Sequence, residues 1–501
     1  MLRVVKTENG LVRGLPAADP RITAFKGIPF AAPPVGELRW RAPQPAASWE
    51  GIRDCFKFAP ISMQHVPGLD PNNIYTREWN VDPEIEMSED CLYLNVWTPA
   101  KSPDEKLPVF VWYFGGGLRE GNTAEMEFDG ERLARRGIVV VTVNYRLNVF
   151  GFLAHPQLTK EQPEAPANFG HLDQQAGTRW VKRNIAAFGG DPDNITIGGQ
   201  SAGGGSVLAQ LTSPQNEGLF QKAIIMSAFS ANIFPRRMFR PLSFAEAEQN
   251  GVRFFEFLGV KTLEEARKLD AVYLRDKCEE YRGFFGTAND GVFQVGFSNE
   301  NMMKGNRYKV PLIISRTESE FKMGLQAESM DEFRKKAEEI FGDDAGEFLR
   351  ICGDNLEDAV KRSTISGLEL AVRALRRRED ELGINQPIYY AVFDAEIPGW
   401  DNPGTFHSVD LWFYFETLAK CWRPFVGKHY DLARQMCNYW ANFIRCGDPN
   451  GNDADGTPMP EWKPFTDAVP NAMWFQDKSN PIVDEPDELM KLLMKTYLAK
   501  N

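Results

Sequence analysis

No stretch of this 501-residue chain approaches the roughly 18 consecutive apolar residues that a membrane-spanning helix needs, and its mean hydropathy is only −0.38. A membrane protein is therefore not expected. Positive charge is in deficit: 57 lysines and arginines face 69 aspartates and glutamates, a formal net charge of −12. An acidic surface repels phosphate backbones, so nucleic-acid binding is not expected as its main business. Cysteine is sparse, with seven at positions 55, 91, 278, 352, 421, 437 and 446, and none forms a C-x-x-C pair or a Cys/His cluster. A disulfide scaffold and a zinc site fall away together. The first fourteen residues lack an apolar signal core and a small-residue cleavage site. They read instead as a strand, a turn at Asn9-Gly10 and a second strand. The expectation is a reduced, cytoplasmic protein.

Repeats, long charge blocks and flexible linkers are also missing. What recurs is a short apolar run that ends in small or polar residues and is followed by a helical pattern, the mark of an α/β fold. Strands are predicted at 108–114, 138–144, 194–198, 222–227, 310–315 and 387–393. They are nearly all apolar rather than alternating, as parallel strands buried on both faces should be. Amphipathic helices are predicted at 177–188, 202–211 and 430–444. Two more charged helical regions, roughly 244–282 and 329–382, fit poorly as crossovers and read as insertions over one end of the sheet. The whole of 1–501 is expected to form one domain.

Gly199-Gln200-Ser201-Ala202-Gly203 has the pattern G-x-S-x-G. It follows a predicted strand and opens a predicted helix, the setting of a nucleophile elbow. A competing reading makes Ser201 an ordinary N-cap on a Gly-rich helix start. A serine nucleophile needs a base, an orienting acid and an oxyanion hole, and on a strand–elbow–helix framework the chain order is Ser, acid, His. Five histidines exist, and order leaves only His407 and His429. His407 lies in a loop beyond the strand at 387–393, where a sheet-end base belongs. His429 begins a helix and reads as a surface or capping residue. For the acid, the strand at 310–315 runs into Glu318 and Glu320, and either carboxylate could serve. Gly115-Gly116-Gly117, closing the strand at 108–114, could aim backbone amides at a developing oxyanion. No Lys-Ser/Thr follows, so a P-loop is excluded.

The chain resembles the type-B carboxylesterases, the cholinesterase-like family of α/β hydrolases. The resemblance rests on Phe25 to Ala31 with Pro33 to Gly36 and Leu38-Arg39-Trp40, on Ser88 to Asn95, on Val143 to Arg146 with Gly151-Phe152, on Asn168 to Gln174, on Phe188 to Pro192, on the elbow at Ser201, and on Phe443 to Asn450. It implies an α/β-hydrolase fold and a cofactor-free, metal-free serine hydrolase acting on small carboxylic esters through an acyl-enzyme. It selects Glu320 as the acid beside Ser201 and His407, and matches Gly116, Gly117 and Ala202 to the family's oxyanion-hole amides. Glu89, Arg146 and Asp173 match buried structural charges. A catalytically silent binding module is the alternative, as is the same mechanism on an amide, thioester or lactone.

The chain also departs from the family pattern. Phe114 stands where many members have His, and Gln200 where many have Glu, which removes a negative charge beside Ser201. Ser315, Ser319 and Phe321 replace Gly, Asp and Gly around the acid. Secreted members pair the cysteine matching Cys91 with one in the segment where this chain has Ser62; Cys55 does not match that partner. Aromatic residues expected on the pocket walls are Phe284, Phe285, Phe406, Trp412 and Trp422, which suggests an apolar acyl or aryl group. Trp79 precedes Ser88-Glu89-Asp90 two residues too early to match the cation-binding tryptophan of cholinesterases, so a quaternary-ammonium substrate is not expected.

Overall fold

The apolar runs read from the sequence become neighbouring strands of one eleven-stranded sheet. The computed structural model describes residues 1–234 and 242–500. In chain order the strands of this sheet are β1 (Leu15–Pro16), β2 (Thr23–Pro29), β3 (Tyr93–Thr98), β4 (Leu107–Tyr113), β5 (Val139–Val143), β6 (Gly190–Gln200), β7 (Lys222–Met226), β8 (Leu312–Thr317), β9 (Ile388–Phe393), β10 (Asn471–Phe475) and β11 (Ser479–Val483). Their spatial order is β11-β10-β9-β8-β7-β6-β4-β5-β3-β2-β1. From β10 across to β5 every pairing is parallel, and antiparallel pairings finish both edges. This is the α/β-hydrolase fold, a large mixed sheet flanked by helices.

Alternation along each strand divides the core between the two faces. Val109, Val111 and Tyr113 enter one hydrophobic cluster, while Phe110 and Trp112 enter the other. Both sides of the central strands are covered, which is why their sequences are continuously apolar. The N-terminal segment forms its own hairpin, Val4–Thr7 against Gly10–Arg13, with Thr7 opposite Gly10 as the Asn9-Gly10 turn requires.

Two elements run beyond their sequence-read limits. β6 begins at Gly190, before the apolar stretch, because Gly190 pairs with Leu107 and its polar start faces outward. Helix α1 (Phe169–Asn184) starts eight residues before the expected 177 and gives way to a 3-10 turn at Ile185–Phe188. Its first turns bury His171, Asp173 and Gln174, polar residues that an apolar period does not count. Helix α2 (Ala202–Thr212) follows β6 directly, and α3 (Gly427–Cys446) is three residues longer at its start than expected. The region 244–282 contains helices Phe244–Leu258, Leu263–Arg267 and Ala271–Glu280. The region 329–382 contains Met330–Phe341, Ala345–Cys352, Leu356–Arg362 and Gly367–Glu381. Among the described residues no helix is long and apolar enough to cross a membrane.

Parallel pairing has one consequence for function. The carboxyl ends of β4, β6, β7, β8 and β9 share one edge, so Gly115–Gly117, Ser201, Ser227, Glu320 and the loop to His407 all issue from it. Crevices at such edges are where α/β sheets bind ligands.

Candidate active site

The turn after β6 forces Ser201 into a left-handed backbone, φ 56° and ψ −125°. A side chain in that region costs of order 1–3 kcal/mol and persists only where surroundings impose it. They do so here through tight backbone contacts. A Cβ on Gly199 would sit 2.3 Å from the Gly203 carbonyl, and one on Gly203 would sit 2.1 Å from the Tyr113 carbonyl. Both flanking glycines of the motif are therefore demanded by space. Ser201 N donates to Met226 O at 2.9 Å, and Ser201 O accepts from Gly205 N, which fixes the turn between β7 and α2. The Ser201 hydroxyl makes no cap hydrogen bond to α2, so the N-cap reading fails.

Of the two candidate carboxylates, the structure brings only Glu320 to the imidazole. Glu320 is buried, and its Oε2 meets His407 Nδ1. Its Oε1 accepts from Ser227 Oγ at 2.5 Å and from Thr317 N at 2.7 Å. Glu318 turns outward to Lys322 at 2.6 Å. The loop carrying His407 is tied to the loop carrying Glu320 by Thr405, whose hydroxyl lies 3.0 Å from Ser319 Oγ and accepts from Ser319 N. A carboxylate on Nδ1 holds the proton there and leaves Nε2 as the acceptor. His429 lies elsewhere. It is buried rather than on the surface, and its Nδ1 accepts from Val426 N at the start of α3, so of its two expected roles it takes capping.

The glycine loop after β4 lies against the elbow that carries Ser201. Gly116 and Gly117 have φ of 103° and 66°, open only to glycine without strain. A Cβ on Gly115 would lie 3.1 Å from the Ser201 Cβ, so the loop and the elbow touch. Among the described residues no protein group accepts a hydrogen bond from the N–H of Gly116, Gly117 or Ala202. Free donors on the loop and on the elbow of this partly exposed serine are the groups that can receive a developing negative oxygen. No group of three metal-ligating side chains occurs among the described residues.

Several neighbours went unread in the sequence. Phe321 follows Glu320 with φ 44° and lays its ring against His407, centroids 4.5 Å apart. Asp410, three residues after His407, is fully buried, and neither carboxylate oxygen has a hydrogen-bond partner. Burial first, then the charge of Glu320, pushes its pKa well above the carboxylate range. Its signal was a lone carboxylate inside the apolar run from Val409 to Phe415. Gln64 clamps the glycine loop, accepting from Gly121 N at 2.8 Å and donating to Gly121 O at 3.0 Å. No periodic pattern marks such a residue.

The expected aromatic walls divide. Phe406 adjoins His407 and packs against Tyr75. Trp412 is fully buried, packed at a tilt against Trp79 and donating to Glu78. Phe285 is packed within the core beside Phe254 and Tyr281. Phe284, half exposed, lines a separate groove with Leu242, Asn250 and Arg253, and Trp422 lies partly open near Trp400. Trp400 itself is 77% exposed. Four of the five expected wall residues therefore serve packing or the surface, because aromatic content alone does not distinguish core from crevice.

Buried charge is paired where it was expected. Arg146 bonds Asp173 at 2.7 Å, and Arg39 bonds Glu89 at 2.6 Å. Ser62 stands beside Cys91, its Oγ 3.5 Å from Sγ and donating to Tyr145 O, and all seven cysteines are free thiols. A further buried carboxyl, like that of Asp410, is left uncompensated. Neither carboxylate oxygen of Glu127 meets a donor, and Glu125 faces it. Burial pushes Glu125 up to about 7 and Glu127 well above the carboxylate range. An acid whose folded pKa is raised stabilises the fold when protonated, so this contribution falls as pH rises from the ordinary carboxylate range through the raised values. Glu127→Gln should therefore raise unfolding free energy at pH 8 by on the order of 2 kcal/mol and change it little at pH 5. Denaturant melts at the two pH values check this; equal shifts at both would contradict it.

Comparison with known proteins gives a consistent picture. A family model described as "Carboxylesterase family" matches residues 2–348 and 370–491. The chain is 37% identical over 471 residues to a fumonisin B1 esterase of Sphingopyxis macrogoltabida, covering 89% of this chain and 82% of that one. It is 30% identical over 507 residues to a cholinesterase of Mus musculus, covering 91% and 81%. Among solved structures it superposes on a PNB esterase with a TM-score of 0.80 at 27% identity, covering 98% and 99% of the two chains. A carboxylesterase of Geobacillus stearothermophilus gives 0.72 at 29% identity, covering 98% and 100%.

Proposed function

The chain belongs to the type-B carboxylesterase family and is a carboxylic ester hydrolase of the serine class, and from that premise we propose that Ser201, His407 and Glu320 carry the reaction. The observation that carries the assignment is a serine on a strained turn, packed against a glycine loop whose Gly116 and Gly117 amides, like that of Ala202, have no acceptor. Ser201 Oγ attacks the acyl carbon while its proton passes to His407 Nε2. Glu320 holds the imidazole by Nδ1 and balances the imidazolium that forms. The tetrahedral oxygen takes hydrogen bonds from Gly116, Gly117 and Ala202. The imidazolium then protonates the departing alcohol, leaving an acyl-serine. Water, deprotonated by the same imidazole, attacks the acyl carbon and releases the acid. The steps need no metal or cofactor.

The substrate is a small ester with an apolar or aryl group. Phe321, Phe406 and Tyr75 support this by placing rings on and beyond His407. Trp79 supports it from the other direction, because its face is taken by Tyr75 and Trp412. The whole chain works as one catalytic unit, supported by a sheet whose strands run from Leu15 to Val483. Seven free thiols support a cytoplasmic, reduced location. Measuring kcat/KM over a panel of phenyl, naphthyl and short-chain alkyl esters with a choline ester tests the reading. Aryl esters should exceed the choline ester at least tenfold; a preference for choline would overturn the substrate assignment, and a folded enzyme inert to all would overturn the site.

A further inference from the structure

Gln200, immediately before Ser201, occupies the atom on which the proposed reaction depends. The residue is 2% exposed, and its Nε2 lies 3.3 Å from His407 Nε2. Because Glu320 holds Nδ1 as the donor, Nε2 offers a lone pair and the Gln200 amide donates into it. The amide oxygen faces the glycine loop, lying where a Cβ on Gly115 would come within 3.0 Å. Among the described residues no hydrogen bond joins Ser201 Oγ to His407. In the free enzyme the base is therefore held by an amide and not by its nucleophile.

We propose that Gln200 is a catalytic residue of this esterase: its neutral amide occupies the proton-accepting lone pair of His407 until substrate arrives. Three consequences follow from hydrogen-bond chemistry alone. Donation into Nε2 favours the neutral imidazole, which is the form that can act as base. The same bond must be released before the Ser201 proton can reach Nε2, so the amide competes directly with the nucleophile. Its lack of charge spares the imidazolium a second carboxylate beside Glu320. A glutamate at position 200 would reverse the first and third effects, because an ionised carboxylate accepts only and favours the charged ring.

The other charged or titratable groups around His407 leave position 200 as the adjustable one. Glu320 sits on Nδ1. The pKa of Asp410, near Glu320, is pushed well above the carboxylate range by burial and by that charge. Tyr75, on the Ile74–Glu78 helix, is pushed up to about 12 by burial and by Glu320. Arg423 lies over the Phe406 ring at 5.5 Å, with its charge met by Glu78 and Asp401. Glu318 is paired with Lys322, and Glu120 with His65.

The inference rests on the proposed triad, and the experiment separates the two. The acid limb of kcat/KM against pH is recorded with one neutral aryl ester for wild type, Gln200→Glu and Gln200→Met, each checked for folding by circular dichroism. Active-site titration with an organophosphate counts competent serines in all three. Gln200→Met should move the limb upward by a few tenths of a pH unit, and Gln200→Glu by roughly one unit, the size expected of an added neighbouring charge. A residue that only packed the turn would lower activity without moving the limb. A limb in Gln200→Glu within 0.2 of wild type, or one in Gln200→Met that moves downward, would overturn the proposal. Should Gln200→Glu fail to fold, the direction of shift in Gln200→Met decides alone. A wild type that neither hydrolyses the ester nor titrates would instead overturn the triad.

Discussion

Ser201→Ala is expected to lower kcat on an aryl ester by roughly 10⁵–10⁶, since triad members act as a unit and removal of the nucleophile forfeits nearly all of their joint effect. What remains should be the weak assistance of the oxyanion amides and binding. The fold should be untouched. The Ser201 hydroxyl caps nothing, and the elbow is held by backbone bonds to Met226 and Gly205. A second replacement exposes the strain in the turn. At φ 56° glycine is at ease where alanine is not. Ser201→Gly should be as inactive as Ser201→Ala yet more stable than it by up to about 1 kcal/mol. Initial rates with urea melts of both variants provide the check. Near-wild-type turnover in either would remove Ser201 from the mechanism.

The second large effect separates two glutamates that lie two residues apart. Glu320→Gln should lose roughly 10²–10⁴ in kcat, because an amide in place of the carboxylate no longer favours the right tautomer or balances the imidazolium. Glu318→Gln should stay within a few-fold of wild type, since its partner is the surface residue Lys322, and exposed ion pairs contribute little. Steady-state kinetics of the two variants on one ester decide the matter. A crippled Glu318→Gln beside a healthy Glu320→Gln would reverse the assignment.

The contrast between these residues shows where sequence stops being informative. Extended chain would point Glu318 and Glu320 the same way, so alternation could not choose between them. The choice is made where the chain leaves β8 and bends over residues 318–321, so that Glu320 turns back onto Thr317 N while Glu318 turns out to Lys322. The strands were legible because burial on both faces leaves a continuous apolar run. The elbow was legible because steric limits at Gly199 and Gly203 write themselves into residue identity. The start of α1 was hidden, because His171, Asp173 and Gln174 are buried through specific hydrogen bonds rather than through hydrophobicity. Asp410 was hidden for a related reason. A carboxyl whose pKa is raised by burial looks, in a string of letters, like any other aspartate.

Ser62 beside Cys91 carries a consequence for how the glycine loop behaves with temperature. The segment from Ser62 to His65 is fastened by hydrogen bonds to Tyr145 and Gly121 and by the pairing of His65 with Glu120, with no covalent link. Such fastenings can open and reclose by local fluctuation, at a lower free energy than global unfolding. Gln64 holds the loop through that segment, so warming or mild denaturant should loosen the loop while the sheet is still intact.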